Sequence, residues 1–251
     1  MSSIKYFAGA VADVVIPRHC AVCGRKLLVN EKFLCIFCLD DMPLTYNWNL
    51  VRNPMADRYN DIVRRTVAGY GPYAFAAGLF FFRGETGWRN ICHELKYGGN
   101  LRIGRHFARM LGAKLASAAM FGNVDTVIPV PLHRFRKWRR GYNQAEVIAA
   151  EVAGALGADM RSDILMRKRR TASQTELDMQ GKIENVAGAF TCRKIPQNAK
   201  HILLIDDVFT SGATLGACHA ALREVLPPEV RISAATLAVT PESGPDPSGL
   251  Y

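Results

Sequence analysis

The sequence predicts an α/β chain: a central, mostly parallel sheet flanked by helices, with a small four-cysteine module in front of it. Three observations predict this. Ile202-Leu203-Leu204-Ile205 is a short aliphatic run bounded by His201 and by two acids, Asp206 and Asp207. A strand buried on both faces reads this way. A loop of Thr, Ser, Gly and Ala follows it, and then a helical stretch, Leu215 to Leu226. Thr126 to Val130 is a second run of the same kind, with a helix from Ala145 to Leu156 after it. Ahead of both stand two C-x-x-C pairs.

The stretch Ile202 to Thr214 carries the chemistry. In open α/β sheets, ligands bind where strands end and helices begin. Backbone N–H groups of such a loop, aimed by a helix N-terminus, form an anion site. Thr210, Ser211 and Thr214 add hydroxyl donors, and Gly212 lets the backbone approach a phosphate closely. Two acids would repel that phosphate unless they face another group. Sugar hydroxyls are the natural partner, because carboxylates accept their hydrogen bonds, and a magnesium ion could share the charge. A sugar phosphate is therefore the implied ligand. The plainer alternative is a strand–turn–helix whose hydroxyls only cap the helix. Neither G-x-x-x-x-G-K-[ST] nor a strand followed by G-x-G-x-x-G occurs.

Leu203 to Thr214 resembles the 5-phosphoribosyl-1-pyrophosphate (PRPP) signature of type I phosphoribosyltransferases. The resemblance implies that fold, with PRPP bound alongside Mg²⁺. It places the catalytic acids Asp206 and Asp207 on the ribose hydroxyls. Val208, Phe209, Thr210, Ser211, Gly212, Ala213 and Thr214 then surround the 5′-phosphate.

Composition sets the bounds. A chain of 251 residues, about half of them apolar, accommodates one full-size domain and a small module. The longest apolar run, Ala74 to Phe82, is too short to span a bilayer. No small-residue cleavage site follows the N-terminal apolar stretch, so the reading is cytoplasmic with free cysteines. A net charge of +10 favours anionic partners. Residues 4 to 15 have the apolar spacing of an amphipathic packing helix that Pro17 stops.

Cys20-Ala21-Val22-Cys23 and Cys35-Ile36-Phe37-Cys38 are two knuckles with eleven residues between them. Four thiolates at this spacing suit one tetrahedral, structural Zn²⁺ with no open position for catalysis. The alternative is a redox pair, which needs no second copy. Residues 40 to 73 read as a linker or irregular cover. The assignment is thus 1–73 for the N-terminal helix, zinc module and linker. The phosphoribosyltransferase domain takes 74–240, and 241–251 is a disordered tail.

Within the large domain, Ala76 to Phe82 reads as a strand, Trp88 to Tyr97 and Leu101 to Met120 as helices, and Val230 to Val239 as the last strand. Lys96 is either a plain helix-end cation or part of the site. After Thr126 to Val130 come Pro131, Leu132 and His133. Arg134, Arg136, Lys137, Arg139 and Arg140 then crowd a short span with Phe135 and Trp138 between them. That run is a solvated basic face or a nucleic-acid surface, since bases stack on rings beside phosphate-binding cations.

Leu95-Lys96-Tyr97, the Val-Pro-Val-Pro-Leu-His step that begins at Ile128-Pro129 here and ends at His133, and Arg140-Gly141-Tyr142-Asn143-Gln144 resemble the ComF family of phosphoribosyltransferases. The resemblance implies pyrophosphate binding at Lys96, Pro131, Leu132, His133, Arg134 and Arg140. It also implies a link to natural transformation, with single-stranded DNA and the uptake machinery as partners. Arg167-Lys168-Arg169-Arg170 falls where relatives carry a mobile loop, and Arg170 with Gln174 resembles their Arg-x-x-x-Gln. Lys182 stands where relatives tend to have Arg, and so departs from the pattern. Three functions compete: a ComF-type transferase that handles DNA, a non-catalytic nucleic-acid adaptor that keeps the PRPP site, and a nucleobase-salvage transferase. The acceptor is not legible.

Overall fold

The computed structural model describes residues 18–67, 71–82, 87–168, 186, 188–194 and 198–241. The expectations for 4–15, Arg169, Arg170, Gln174, Lys182 and the tail beyond 241 lie outside these residues. The elements in chain order are α1 (Ile36–Asp40), α2 (Pro54–Thr66), β1 (Ala76–Phe81), α3 (Arg89–Lys96), α4 (Leu101–Ala116), β2 (Thr126–Pro129), α5 (Arg134–Arg140), α6 (Gln144–Leu156), β3 (Asp159–Met160), β4 (Leu165–Arg167), β5 (Phe190–Cys192), β6 (His201–Phe209), α7 (Ala213–Arg223) and β7 (Arg231–Val239).

Five strands form one parallel sheet in the order β1-β7-β6-β2-β3, and β4 with β5 makes a separate antiparallel hairpin. The expected α/β architecture with a parallel sheet is borne out. Strand side chains alternate between faces, and here both faces are buried. Val127, Leu203, Ile205, Ala235 and Leu237 join one apolar cluster with α4 and α6. Ile128, Ile202, Leu204, Ile232 and Ala234 join the other, with α2 and α7. That double burial is why β6 reads as an unbroken aliphatic run rather than an alternating one.

The connectivity places the site. From β2 the chain moves outward to β3, whereas from β6 it moves the opposite way to β7. The strand order therefore reverses between β2 and β6, which pair directly through Thr126–Ile202 to Pro129–Ile205. At such a switch point the two following loops splay apart and leave a crevice at the carboxyl edge.

Residues 40–73 are not irregular throughout. Pro54 occupies the first turn of the 13-residue helix α2, and Asn53 Oδ1 caps it by accepting from Ala56 N at 2.9 Å. Met55, Ala56, Tyr59, Ile62 and Val63 are buried, and the helix packs on α7 and β1. Only the stretch before it acts as cover. Phe81 N donates to Pro43 O and Thr45 N to Leu79 O, which pairs the outer edge of β1.

Two buried histidines are held neutral by the core. Burial pushes His201 down to about 4, where Nε2 meets Ser233 Oγ at 2.8 Å. It pushes His219 down to about 3, where Nδ1 meets Tyr59 Oη at 3.0 Å. Both folded values lie below 6.5, so the unfolded chain binds more protons as pH falls below 6.5. Each histidine therefore withdraws stability on acidification, by about 1.4 kcal/mol per pH unit. Asp206 opposes one of them. Burial, reinforced by Asp207, raises it from 3.8 to about 7, so its folded form binds more protons in the same window. The chain should lose melting temperature between pH 6.5 and 5, and His219→Gln should flatten that dependence. An unchanged slope in thermal scans would show that His219 does not carry it.

Candidate functional site at the carboxyl edge of the sheet

The four-cysteine cluster is assembled as the spacing predicts. Gly24, with φ of +70°, closes the first knuckle where Gly24 N donates to Cys20 O at 2.9 Å. The second knuckle runs into α1, and Leu39 N donates to Cys35 O. The four Sγ atoms all lie within 4.8 Å of one another. With Zn–S near 2.3 Å, neighbouring sulfurs of a tetrahedral site stand about 3.8 Å apart. Cys23 Sγ and Cys35 Sγ are 3.7 Å apart, so the cluster fits such a metal. The module shares its core with the large domain, because Cys20, Leu27, Leu34 and Cys35 join the cluster of Trp88 and Ile91.

At the β2–β6 switch point lies a cavity of about 260 Å³. Asp206 and Asp207 enter it from the end of β6, Pro131 and Leu132 from the loop after β2, and Lys96 from the end of α3. Arg136, Arg140, Asn143, Gln144, Arg167 and Thr214 complete the wall. Lys96 Nζ pairs with Asp207 Oδ2 at 3.0 Å. Burial works against the Lys96 charge, but Asp207 outweighs it and raises the ammonium pKa. A carboxylate oxygen accepts more than one hydrogen bond, so Asp207 Oδ2 can take a further donor beside Lys96. Arg140 is held by Gln144 Oε1 at 3.0 Å and by Tyr97 Oη at 3.3 Å. Tyr142 Oη donates to Leu95 O at 2.5 Å and so fixes the turn that presents Lys96. Gln144 is 2% exposed, and its Nε2 has no partner among the described residues. Asn143 Nδ2 donates to Val130 O, which ties α6 to the loop after β2.

Part of the expected pyrophosphate set is not brought to this cavity. His133 Nδ1 accepts from Phe135 N at 3.3 Å and so caps α5, and Arg134 is exposed on that helix. Neither lines the cavity, whereas Lys96, Pro131, Leu132 and Arg140 do. Arg136, two residues on from Arg134 and on the opposite side of α5, takes the inward place. It was visible only as one of a crowd of cations. Arg167, Asn143 and Gln144 were also missed as site residues, because only the fold brings β4 and α6 to the switch point.

The loop after β6 is built from behind. Arg58 of α2 donates through Nη1 to Thr240 O at 3.0 Å and through Nη2 to Thr210 O, and its guanidinium lies 5.1 Å from the Phe209 ring. Thr240 N donates to Phe209 O at 2.9 Å. Ser211 Oγ accepts from Ala213 N at 3.4 Å. A hollow of about 10 Å³, lined by Asp206, Val208 and residues 209, 210 and 212–215, has room for about one water molecule.

Gly212 also answers to the core. Its φ is +77°, and a Cβ there would stand 2.7 Å from the Phe209 ring and 2.8 Å from Ile62 Cδ1. The missing side chain makes room for those two residues.

No protein-family model matches the chain. Over 148 residues the chain is 29% identical to "Competence protein F" of Haemophilus influenzae, covering 57% of this chain and 64% of that protein. Over 128 residues it is 31% identical to "DNA utilization protein YhgH" of Salmonella typhi, covering 50% of this chain and 56% of that protein. The chain thus spans 56% to 64% of the length of these curated relatives. It is a homologue of proteins of these two names, which bears out the ComF resemblance. Among solved structures, adenine phosphoribosyl transferase from Trypanosoma brucei, in complex with AMP, pyrophosphate and ribose-5-phosphate, aligns over 79% of this chain and 87% of that one. Its identity is 13% and its TM-score 0.31, at which the likeness adds nothing to the fold described above.

Gly212→Val combines a left-handed φ with an overfilled contact. It should cost about 3 kcal/mol of stability before any ligand is added. Denaturant unfolding of the apo protein checks this, and a wild-type midpoint would return Gly212 to a purely ligand-facing role.

Proposed function

We propose that the chain is a PRPP-binding phosphoribosyltransferase with Mg²⁺ at its acid pair, acting in the cytoplasmic handling of single-stranded DNA during uptake. One observation carries the PRPP reading. Gln144 Nε2 is buried without a partner among the described residues, and it sits on one cavity with the Lys96–Asp207 ion pair, Arg136 and Arg140. Buried polar groups without partners are costly, by about 1–3 kcal/mol each. A cavity that collects an acceptor, a donor and several cations suits a ligand with hydroxyls at one end and anionic oxygens at the other. The names of the relatives, competence and DNA utilization, support the link to DNA.

In this reading Asp206 and Asp207 accept hydrogen bonds from the ribose hydroxyls, and the Thr210–Thr214 loop opens outward to take the 5′-phosphate. Lys96, Arg136 and Arg140 face the pyrophosphate. The bond from C1 of the ribose to the pyrophosphate oxygen breaks, and pyrophosphate leaves with the electron pair. A lone pair of the acceptor then forms the new bond at C1. The charge on the leaving group is what fixed cations stabilise best, because they are oriented before the reaction begins. Mg²⁺, held by Asp206 or Asp207, would supply further charge on that side.

Calorimetric titration with PRPP and Mg²⁺ tests the site. Asp207→Asn removes a charged acceptor and should weaken binding by about ten- to a hundredfold. A parent protein that binds no PRPP overturns the reading. Binding without pyrophosphate release, screened against nucleobases and oligonucleotides, would make the chain an adaptor instead.

The four cysteines are proposed to hold one structural zinc. Elemental analysis of protein purified without chelator should give one zinc per chain, and Cys23→Ser should lose it. Because the module shares a core with α3, that loss should also raise hydrogen exchange at residues 88–96. A metal-free protein with full protection there would contradict it.

A further inference from the structure

A second, wider cavity lies away from the switch point. It is a groove of about 820 Å³ between the four-cysteine module and helices α3 and α4. Arg18 and Lys32 line it from the module, and Arg102, Arg105 and Arg109 from α4. The three α4 arginines stand at i, i+3 and i+7, on one face of the helix, over a rise of about 10 Å. Like charges at this spacing destabilise a helix, so the stripe is not there for the helix's sake. Glu151 takes up Arg109 at 2.7 Å and reaches Arg105 at 3.9 Å. Arg18 holds the Leu28 and Glu31 carbonyls. Among the described residues Lys32 and Arg102 make no ion pair, and Glu94 is the one acid on the lining.

Rings are interleaved with these charges. Phe33 and His106 stack 5.1 Å apart in the groove. At its far end His93 stacks on Tyr97 at 4.9 Å. Tyr97 lines the next groove, of about 570 Å³, with Arg136, Arg139 and Arg140. Beside that second groove Trp138 is 80% exposed and lies 6.1 Å from Phe135. The two grooves meet at the turn between α3 and α4.

We propose that the module–α4 groove binds the backbone of single-stranded nucleic acid, with the four-cysteine module as one of its walls. Cations that track phosphates, with rings set among them and the Trp138 ring exposed to bases, are what a single strand requires and an acidic peptide does not. The strand continues over His93 and Tyr97 into the second groove. This inference rests on the DNA part of the function above; the module–α4 groove shares no lining residue with the switch-point cavity, whereas the second groove shares Lys96, Arg136 and Arg140 with it.

The test uses the full zinc-loaded chain and a fluorescein-labelled oligothymidylate of about twenty nucleotides, titrated by anisotropy at several salt concentrations. Lys32→Ala/Arg102→Ala should weaken binding at least tenfold at low salt. It should also reduce the salt slope by about 1.4, the share of two phosphates on a single strand. Zinc content, melting temperature and PRPP titration should stay at parent values, since both residues are exposed. Arg102→Glu should weaken binding further. Parent-like affinity and slope in the double variant overturn the proposal. So does a loss confined to Trp138→Ala/Arg139→Ala, which would place the strand in the second groove alone. A parent protein that binds no oligonucleotide overturns it too, while the PRPP reading stands or falls by its own titration.

Discussion

The site depends on one charge pair, Lys96 with Asp207. A buried ion pair gains little net stability, because removing two charges from water consumes most of their attraction. Breaking one by deleting a partner is far more costly, since the other charge is left stranded. The pair therefore does more to fix geometry than to hold the fold together. It locks the end of α3 against the end of β6, and the Tyr142 bond to Leu95 O steadies the same turn. Asp206, beside it, has its carboxyl pKa raised to about 7 by burial and by the neighbouring Asp207 charge. A cation beside Asp206, or a hydroxyl donating to it, would favour its ionised form.

The same economy governs the loop after β6. Its side toward the cavity is left open, and its other side is fastened by Arg58, Thr240 and the Phe209 ring. The loop is thus held by its carbonyls, and the N-terminus of α7 starts at Gly212 without a side-chain cap. An anion-binding loop needs this asymmetry: partners for the C=O groups from the protein, and N–H groups kept for the ligand.

Signals that are local in sequence were legible. The aliphatic runs of β2 and β6, the acid pair and the two knuckles each declare themselves within a few residues. Helix α2 did not, because its outward face carries Asp57, Asp61, Arg64 and Arg65, and its stretch was read as linker. Read as a first-turn proline behind an Asn53 cap, the same residues announce a helix. The packing constraint on Gly212 was not legible, because part of it comes from Ile62, 150 positions earlier in the chain. The inward turn of Arg136 rather than Arg134, and the arrival of Gln144 and Arg167, depend on how α5, α6 and β4 pack. No window of sequence contains that information.

The sheet order has a consequence for how the chain is made. Among the described residues β1 has one neighbour in the sheet, β7, some 160 residues later, through pairs such as Ala76 with Ala234. A ribosome adding about 5–20 residues per second takes roughly ten to thirty seconds to supply it. For that time an aliphatic strand has an unsatisfied inner edge, and the stretch at 43–45 can shield only its outer one. β7 therefore seals β1, and it also delivers Thr240 to the loop after β6. That loop cannot be fastened until residue 240 has left the ribosome, so a nascent chain that stops short of β7 leaves it untied.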